Sequence, residues 1–163
     1  MQRYTPVAAA ILALAGCAEE PAKAPSAPAA PAALPAGLWK TASEVSLFKT
    51  MDAGTPIIAA KVGDRSTSEA CVAAGEAKKP KPTLFGATRG DCGYSNFYLG
   101  NGTMSGTIEC KTPQGPIMHM VNGSYTAETF EASVDTASYL TSDGDVTLTT
   151  KLSGTRAGDC PAS

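Results

Sequence analysis

From Trp39 onward, apolar and polar residues trade places at every second position over long stretches, the period of a strand with one buried and one wet face. Trp39, Thr41, Ser43, Val45 and Leu47 alternate as a first strand, and Met51-Asp52-Ala53-Gly54 turns it toward a second at Ile57–Lys61. Gly100-Asn101-Gly102 predicts a hairpin, because glycine and asparagine accept the positive φ of such turns. Centring that turn on Asn101 sets Cys92 against Cys110, Tyr94 against Ile108, Asn96 against Gly106 and Tyr98 against Met104, which makes the even positions an apolar stripe. Asp143-Gly144 predicts another two-residue hairpin, with Tyr139 facing Leu148 and Thr141 facing Val146. Beyond it Val146, Leu148, Thr150 and Leu152 alternate with Thr147, Thr149 and Lys151. Asn122-Gly123 marks a third hairpin, joining Pro116–Val121 to Ser124–Val134 after a turn at Thr112-Pro113-Gln114-Gly115. One short helix is expected: Ser66 and Glu69 have capping-box spacing ahead of Ala70-Cys71-Val72-Ala73-Ala74, with Gly75 as a stop. The chain therefore reads as mainly β, a single antiparallel meander of about seven or eight strands. An open barrel or strongly twisted sheet is expected, since a flat one leaves long exposed edges.

The first thirty-six residues follow other rules. Arg3 supplies positive charge, Val7 to Ala15 is apolar, and small residues follow, the three parts of a secretory signal. Leu14-Ala15-Gly16-Cys17 resembles a bacterial lipobox, which makes residues 1–16 a lipoprotein signal peptide and Cys17 the lipidated residue. Ordinary cleavage after Ala13-Leu14-Ala15 is the competing reading and would release a soluble protein. The apolar run falls well short of the ~20 residues that span a bilayer. Ala18, in place of the aspartate typical of inner-membrane retention, points by resemblance to Gram-negative lipoproteins to the outer membrane, with the domain in the periplasm. Residues 17–36 join the lipidated cysteine to an Ala/Pro tract with prolines at 21, 25, 28, 31 and 35. Proline fixes φ and withholds a donor, so this linker should be extended and largely polyproline II. Residues 37–163 remain for one β domain.

Five cysteines are odd for an exported protein, but lipidation of Cys17 leaves four, which can pair completely. The hairpin register pairs Cys92 with Cys110, and Cys71 and Cys160 remain for each other. The spacing contains no CxxC unit, so disulfides are favoured over zinc. A formal charge of −2, with 13 Lys and Arg against 15 Asp and Glu, argues against nucleic acid as a partner. The one basic run, Lys78, Lys79 and Lys81, reads as a solvated loop in preference to a patch for anionic lipid or glycan.

Candidate chemistry is sparse. His119 lies between Met118 and Met120, a composition that suits copper. Neighbouring strand residues point to opposite faces, however, so His119 is expected to be structural, opposite Thr126 and beside Ile117 and Val121. No serine sits in a G-x-S-x-G elbow, and Asp143/Asp145 and Glu128/Glu131 read as solvated carboxylates at a turn and across a strand. Tyr94, Tyr98, Tyr125, Phe130 and Tyr139 are expected in the core. No catalytic residue, cofactor or metal is assigned.

Gly37-Leu38-Trp39-Lys40, the cysteine spacing, Asn122-Gly123-Ser124-Tyr125 and Ser153-Gly154-Thr155-Arg156-Ala157-Gly158-Asp159-Cys160 together resemble a proteobacterial family, domain of unknown function 3617. Lys40 departs from the acidic residue that the family pattern has after the tryptophan. The resemblance implies a small exported β-rich domain and no established activity. The expected function is a membrane-anchored, non-enzymatic binding or envelope-assembly module, with a small apolar ligand or an envelope protein as partner. The alternatives are an inhibitor of a periplasmic hydrolase, which would need a protruding loop such as Lys78–Arg89, and an unrecognised enzyme.

Overall fold

The computed structural model describes residues 31–161. Cys17, the expected signal segment and the first part of the linker lie outside them. Seven strands, β1 (Gly37–Thr50), β2 (Arg65–Val72), β3 (Asp91–Gly100), β4 (Thr103–Thr112), β5 (Gly115–Tyr125), β6 (Thr129–Ser138) and β7 (Val146–Gly158), make one antiparallel sheet in the order β2-β1-β7-β6-β5-β4-β3. β3 to β7 form an unbroken meander, β1 closes against β7, and the sheet curls into a half-barrel. The crossover at residues 73–90 must then run from one edge, β2, to the other, β3, across the open side. Its short 3₁₀ segment Pro82–Phe85 touches both edge strands and buries Leu84 and Phe85 in the concave face.

The core is that concave face. Trp39, Met104, Ile108, Ile117, Val121, Phe130, Val134 and Leu152 are buried with Leu84 and Phe85, and Trp39 and Phe85 pack against Phe130 at ring-centroid distances of 5.6 and 6.1 Å. Gly154 lies directly beneath the Phe130 ring, where a Cβ would overlap the aromatic carbons. The linker supplies part of this core. Leu34 is fully buried, its N–H donates to the Ala77 carbonyl at 3.0 Å, and the Tyr125 hydroxyl donates to the Pro31 carbonyl at 2.7 Å. Trp39 Nε1 donates to the Pro35 carbonyl and Arg156 Nε to the Ala36 carbonyl. Residues 31–36 are thus a strap packed on the domain, and the folded unit begins upstream of Gly37.

The disulfides are Cys71–Cys160 and Cys92–Cys110, with Cα separations of 5.5 and 3.9 Å. Cys71 is on β2 and Cys92 on β3, so each edge strand is held by one crosslink. An edge strand has ladder hydrogen bonds on one side alone and is the first to fray.

Four local expectations are corrected. The expected helix at 66–74 is strand β2: Ser66 Oγ meets Ser43 Oγ at 2.7 Å and Glu69 pairs with Lys40 at 3.1 Å, so both capping residues serve cross-strand contacts. Residues 57–61 form no strand. They belong to the β1–β2 loop, where the Ile57 N–H donates to the Gly144 carbonyl and its side chain packs on the core. Asn122-Gly123 lies inside β5. The reversal comes at Thr126–Glu128, where Thr126 Oγ1 accepts from the N–H groups of Glu128 and Thr129. Gly123 serves close strand approach there, since a Cβ would meet the Glu131 carbonyl. Asp143-Gly144 is part of a longer β6–β7 loop, and Thr136, not Tyr139, faces Leu148. Asp52 shapes that loop from afar, its carboxylate accepting from the N–H groups of Gly54, Gly144 and Asp145 at 2.8, 2.8 and 2.9 Å. These backbone donors, Asp145 foremost, hold the Asp52 carboxyl below its ordinary range.

The β3–β4 hairpin is half as expected. Cys92 faces Cys110 and Tyr94 faces Ile108, but a bulge at Ser95 shifts the tip by one residue. Asn96 then faces Thr107, Leu99 faces Met104, and the turn is Asn101-Gly102, with φ of 53° and 75°. The bulge carries Phe97 and Leu99 to the core and turns Tyr98 outward.

Candidate functional site

The concave face is filled by the chain's own residues: the strap at one end, Leu84 and Phe85 across the middle, and Ile57 from the β1–β2 loop. The open ground is the convex face. There the β1 bulge between Val45 and Leu47 reverses the alternation and turns Leu47 outward. Leu47 aligns with Thr149 on β7, which aligns with Asp135 on β6 and Met120 on β5. The next row holds Thr147, Ala137 and Met118. A mostly apolar groove of about 280 Å³ results, lined chiefly by Leu47, Met118, Met120, Ala137, Tyr139 and Leu148. Leu47, Met120 and Tyr139 are 48%, 51% and 59% exposed, and Met51, its sulfur 3.8 Å from Thr147 Oγ1, extends the same patch. Asp135, the charged group in the groove, accepts from Thr149 Oγ1 at 2.7 Å.

Methionine gives this surface its character: its unbranched, polarizable side chain fits partners of irregular shape. A second trough beside β1 and β2, in two adjoining parts of about 530 and 600 Å³ and so larger than the groove, is floored by Ala42, Thr67 and Ser153 and rimmed by the exposed ion pairs Lys40–Glu69 and Glu44–Arg65. Such pairs contribute about 0–1 kcal/mol and give the trough no anchoring feature.

The structure separates His119 from its methionine neighbours. His119 is buried on the inner face, while Met118 and Met120 are on the outer one. Its partner across the ladder is Thr136, not Thr126, with Nδ1 and Thr136 Oγ1 2.9 Å apart. Nε2 has no hydrogen-bond partner among the described residues, and burial pushes the imidazole pKa down to about 4. Tyr94 packs on Phe97, donates to the Pro80 carbonyl at 2.6 Å and is raised by burial. Tyr125 and Phe130 are core residues as expected, whereas Tyr98 and Tyr139 are half exposed. Asp145 is not the solvated turn carboxylate expected: part-buried, it accepts from Ser138 Oγ and from the Leu140 N–H and so organises the β6–β7 loop.

Sequence reasoning missed the groove. In the sequence Met118 and Met120 stand out as neighbours of His119, whereas two large apolar residues on the outward positions of one strand are themselves a surface signal.

A family model described as a protein of unknown function, DUF3617, matches residues 31–160. The chain belongs to the DUF3617 family. No curated protein and no solved structure matches it. The DUF3617 match starts at Pro31, whose carbonyl accepts from the Tyr125 hydroxyl, so the matched segment includes the strap as well as the sheet. The motifs that carry the resemblance all serve the DUF3617 fold. Trp39 centres the core, Gly123 lets β5 approach β6, Gly154 underlies Phe130, Arg156 holds the strap and Asp159, and Cys160 staples β2.

Proposed function

We propose that this DUF3617 protein is an exported, lipid-anchored docking module that uses the Leu47–Met120–Tyr139 groove to bind another envelope protein, and that it is not an enzyme. The observation that carries the docking reading is an apolar groove on a face that nothing in the described chain covers, on a domain whose concave side is already filled. At about 280 Å³ and lined by half-exposed side chains, the groove is a surface depression that suits protruding side chains of a protein better than an enclosed small ligand. The anchor reading rests on Leu14-Ala15-Gly16-Cys17 and on the cysteine count: the four domain cysteines pair among themselves, which leaves Cys17 as the odd one. Two or more acyl chains hold a protein on a membrane where one does not. The outer membrane, with the domain in the periplasm, is the location we propose. The hydrolase-inhibitor alternative loses its protruding loop, because Leu84, Phe85 and Ala87 in the 78–89 segment are buried.

The test places a photo-crosslinking residue at Met120 or, as a control, at Lys151 on the polar part of the same convex face, in intact cells. A discrete adduct with one envelope protein from position 120 and none from 151 supports the docking reading. Equal labelling from both positions, or none, overturns it. In parallel, Cys17→Ser should move the domain to the soluble fraction after a salt wash that leaves the wild type on the membrane, with both disulfides intact, and a wild-type intact mass without acyl groups would refute the anchor.

A further inference from the structure

Charge is segregated in this fold, and the segregation follows the strap. The crossover at residues 73–90 holds four cations, Lys78, Lys79, Lys81 and Arg89, and one anion, Glu76, for a local charge of +3. The rest of residues 31–161 holds seven cations and twelve anions, a balance of −5. In sequence the lysines are a minor basic run beside prolines. In the fold they lie where the tether reaches the domain, because the Leu34 N–H donates to the carbonyl of Ala77, the residue before Lys78. Burial of Pro80, Leu84 and Phe85 fixes the backbone beneath them, so these cations stand on a packed segment. Lys79 lies 5.5 Å from the centroid of the Tyr94 ring, and Lys81 contacts Glu76 at 3.5 Å while remaining mostly exposed.

We infer that the crossover is the membrane-facing side of the domain and rests on anionic phospholipid headgroups. Residues 18–30 reach at most roughly 40 Å as extended polyproline II and join the domain on the strap side, so an anchor on Cys17 keeps the crossover within reach of the bilayer. A basic patch on that side supplies the second signal that a membrane anchor commonly has. It also sets orientation: the groove lies across the sheet from the crossover and points away from lipid, toward a protein partner. The direction of this inference rests on the anchor proposed above, but the patch itself is testable without any lipid on Cys17.

The chain from Ala18 to Ser163, which contains the whole core and both disulfides, is sedimented with vesicles of neutral phosphatidylcholine and with vesicles one-third phosphatidylglycerol. Binding to the anionic vesicles alone is expected, with reversal by salt as screening shortens. Lys78→Gln/Lys79→Gln/Lys81→Gln should weaken it by about fivefold per lysine removed. Lys40→Gln/Lys49→Gln/Lys151→Gln, which removes the same charge elsewhere, should leave it nearly unchanged. Absence of binding, equal binding to both vesicles, or equal loss in the two triple variants would overturn the proposal. Failure here with successful acylation of Cys17 would remove the lipid-facing role of the crossover and leave the anchor standing, and the reverse result would do the opposite.

Discussion

His119 shows how position on a strand decides a residue's chemistry. Its neighbours in sequence are methionines, but its neighbours in space are Thr136 and Ile108 on the flanking strands. Burial keeps the ring neutral down to about pH 4, against an ordinary value of 6.5. Below about pH 6.5 the unfolded chain takes up a proton that the folded one refuses, so stability present above that pH erodes as pH falls toward 4. The loss should reach roughly 2–3 kcal/mol, read as the drop in unfolding free energy from urea titrations at pH 7 and pH 4.5. Asp52 adds a slope of the same sign, since acid removes the carboxylate that three backbone N–H groups share. The His119 share is therefore the difference between wild type and His119→Gln: the variant should show a shallower acid slope, and an identical slope would contradict the assignment.

At the scale of elements, both crosslinks act on the edge strands, and they should act unequally. Cys92–Cys110 spans 18 residues and Cys71–Cys160 spans 89. The chain-entropy relation assigns about 3 kcal/mol to the shorter loop and about 4–5 kcal/mol to the longer one. Paired serine substitutions at each bridge, followed by urea unfolding, should reproduce that order, with hydrogen exchange rising first in β3 for one pair and in β2 for the other. Element identity was legible where alternation ran long, as in β1, β5 and β7. It was misread at β2, where Ser66 and Glu69 match a cap locally but find Ser43 and Lys40 on β1. Turns that rest on a distant residue were equally out of reach, because no local pattern at Asp143-Gly144 reports the Asp52 carboxylate.

For the whole molecule, the curl of the sheet separates three surfaces: a filled concave face, a basic crossover beside the tether, and a convex face with an apolar groove. The groove residues are half exposed and carry little of the core, so Leu47→Ser/Met120→Ser should change stability by no more than about 1 kcal/mol. The same variant should lose the crosslink that the proposed docking predicts. Thermal unfolding beside crosslinking separates these effects, and a variant that unfolds early would place Leu47 and Met120 in the structural core instead.

Taken alone, the sequence determined what depends on short range: the β period, the pairing of Cys92 with Cys110, and the proline spacing of the linker. Those follow from backbone stereochemistry and from neighbours a few residues apart. Tertiary structure alone decided that two bulges, at Ser95 and near Val45, would change which residues face the core, that the linker's Leu34 would complete it, and that three lysines would stand beside the tether. Each of these outcomes depends on which strand lies alongside which, and that pairing is set by burial summed over the whole sheet.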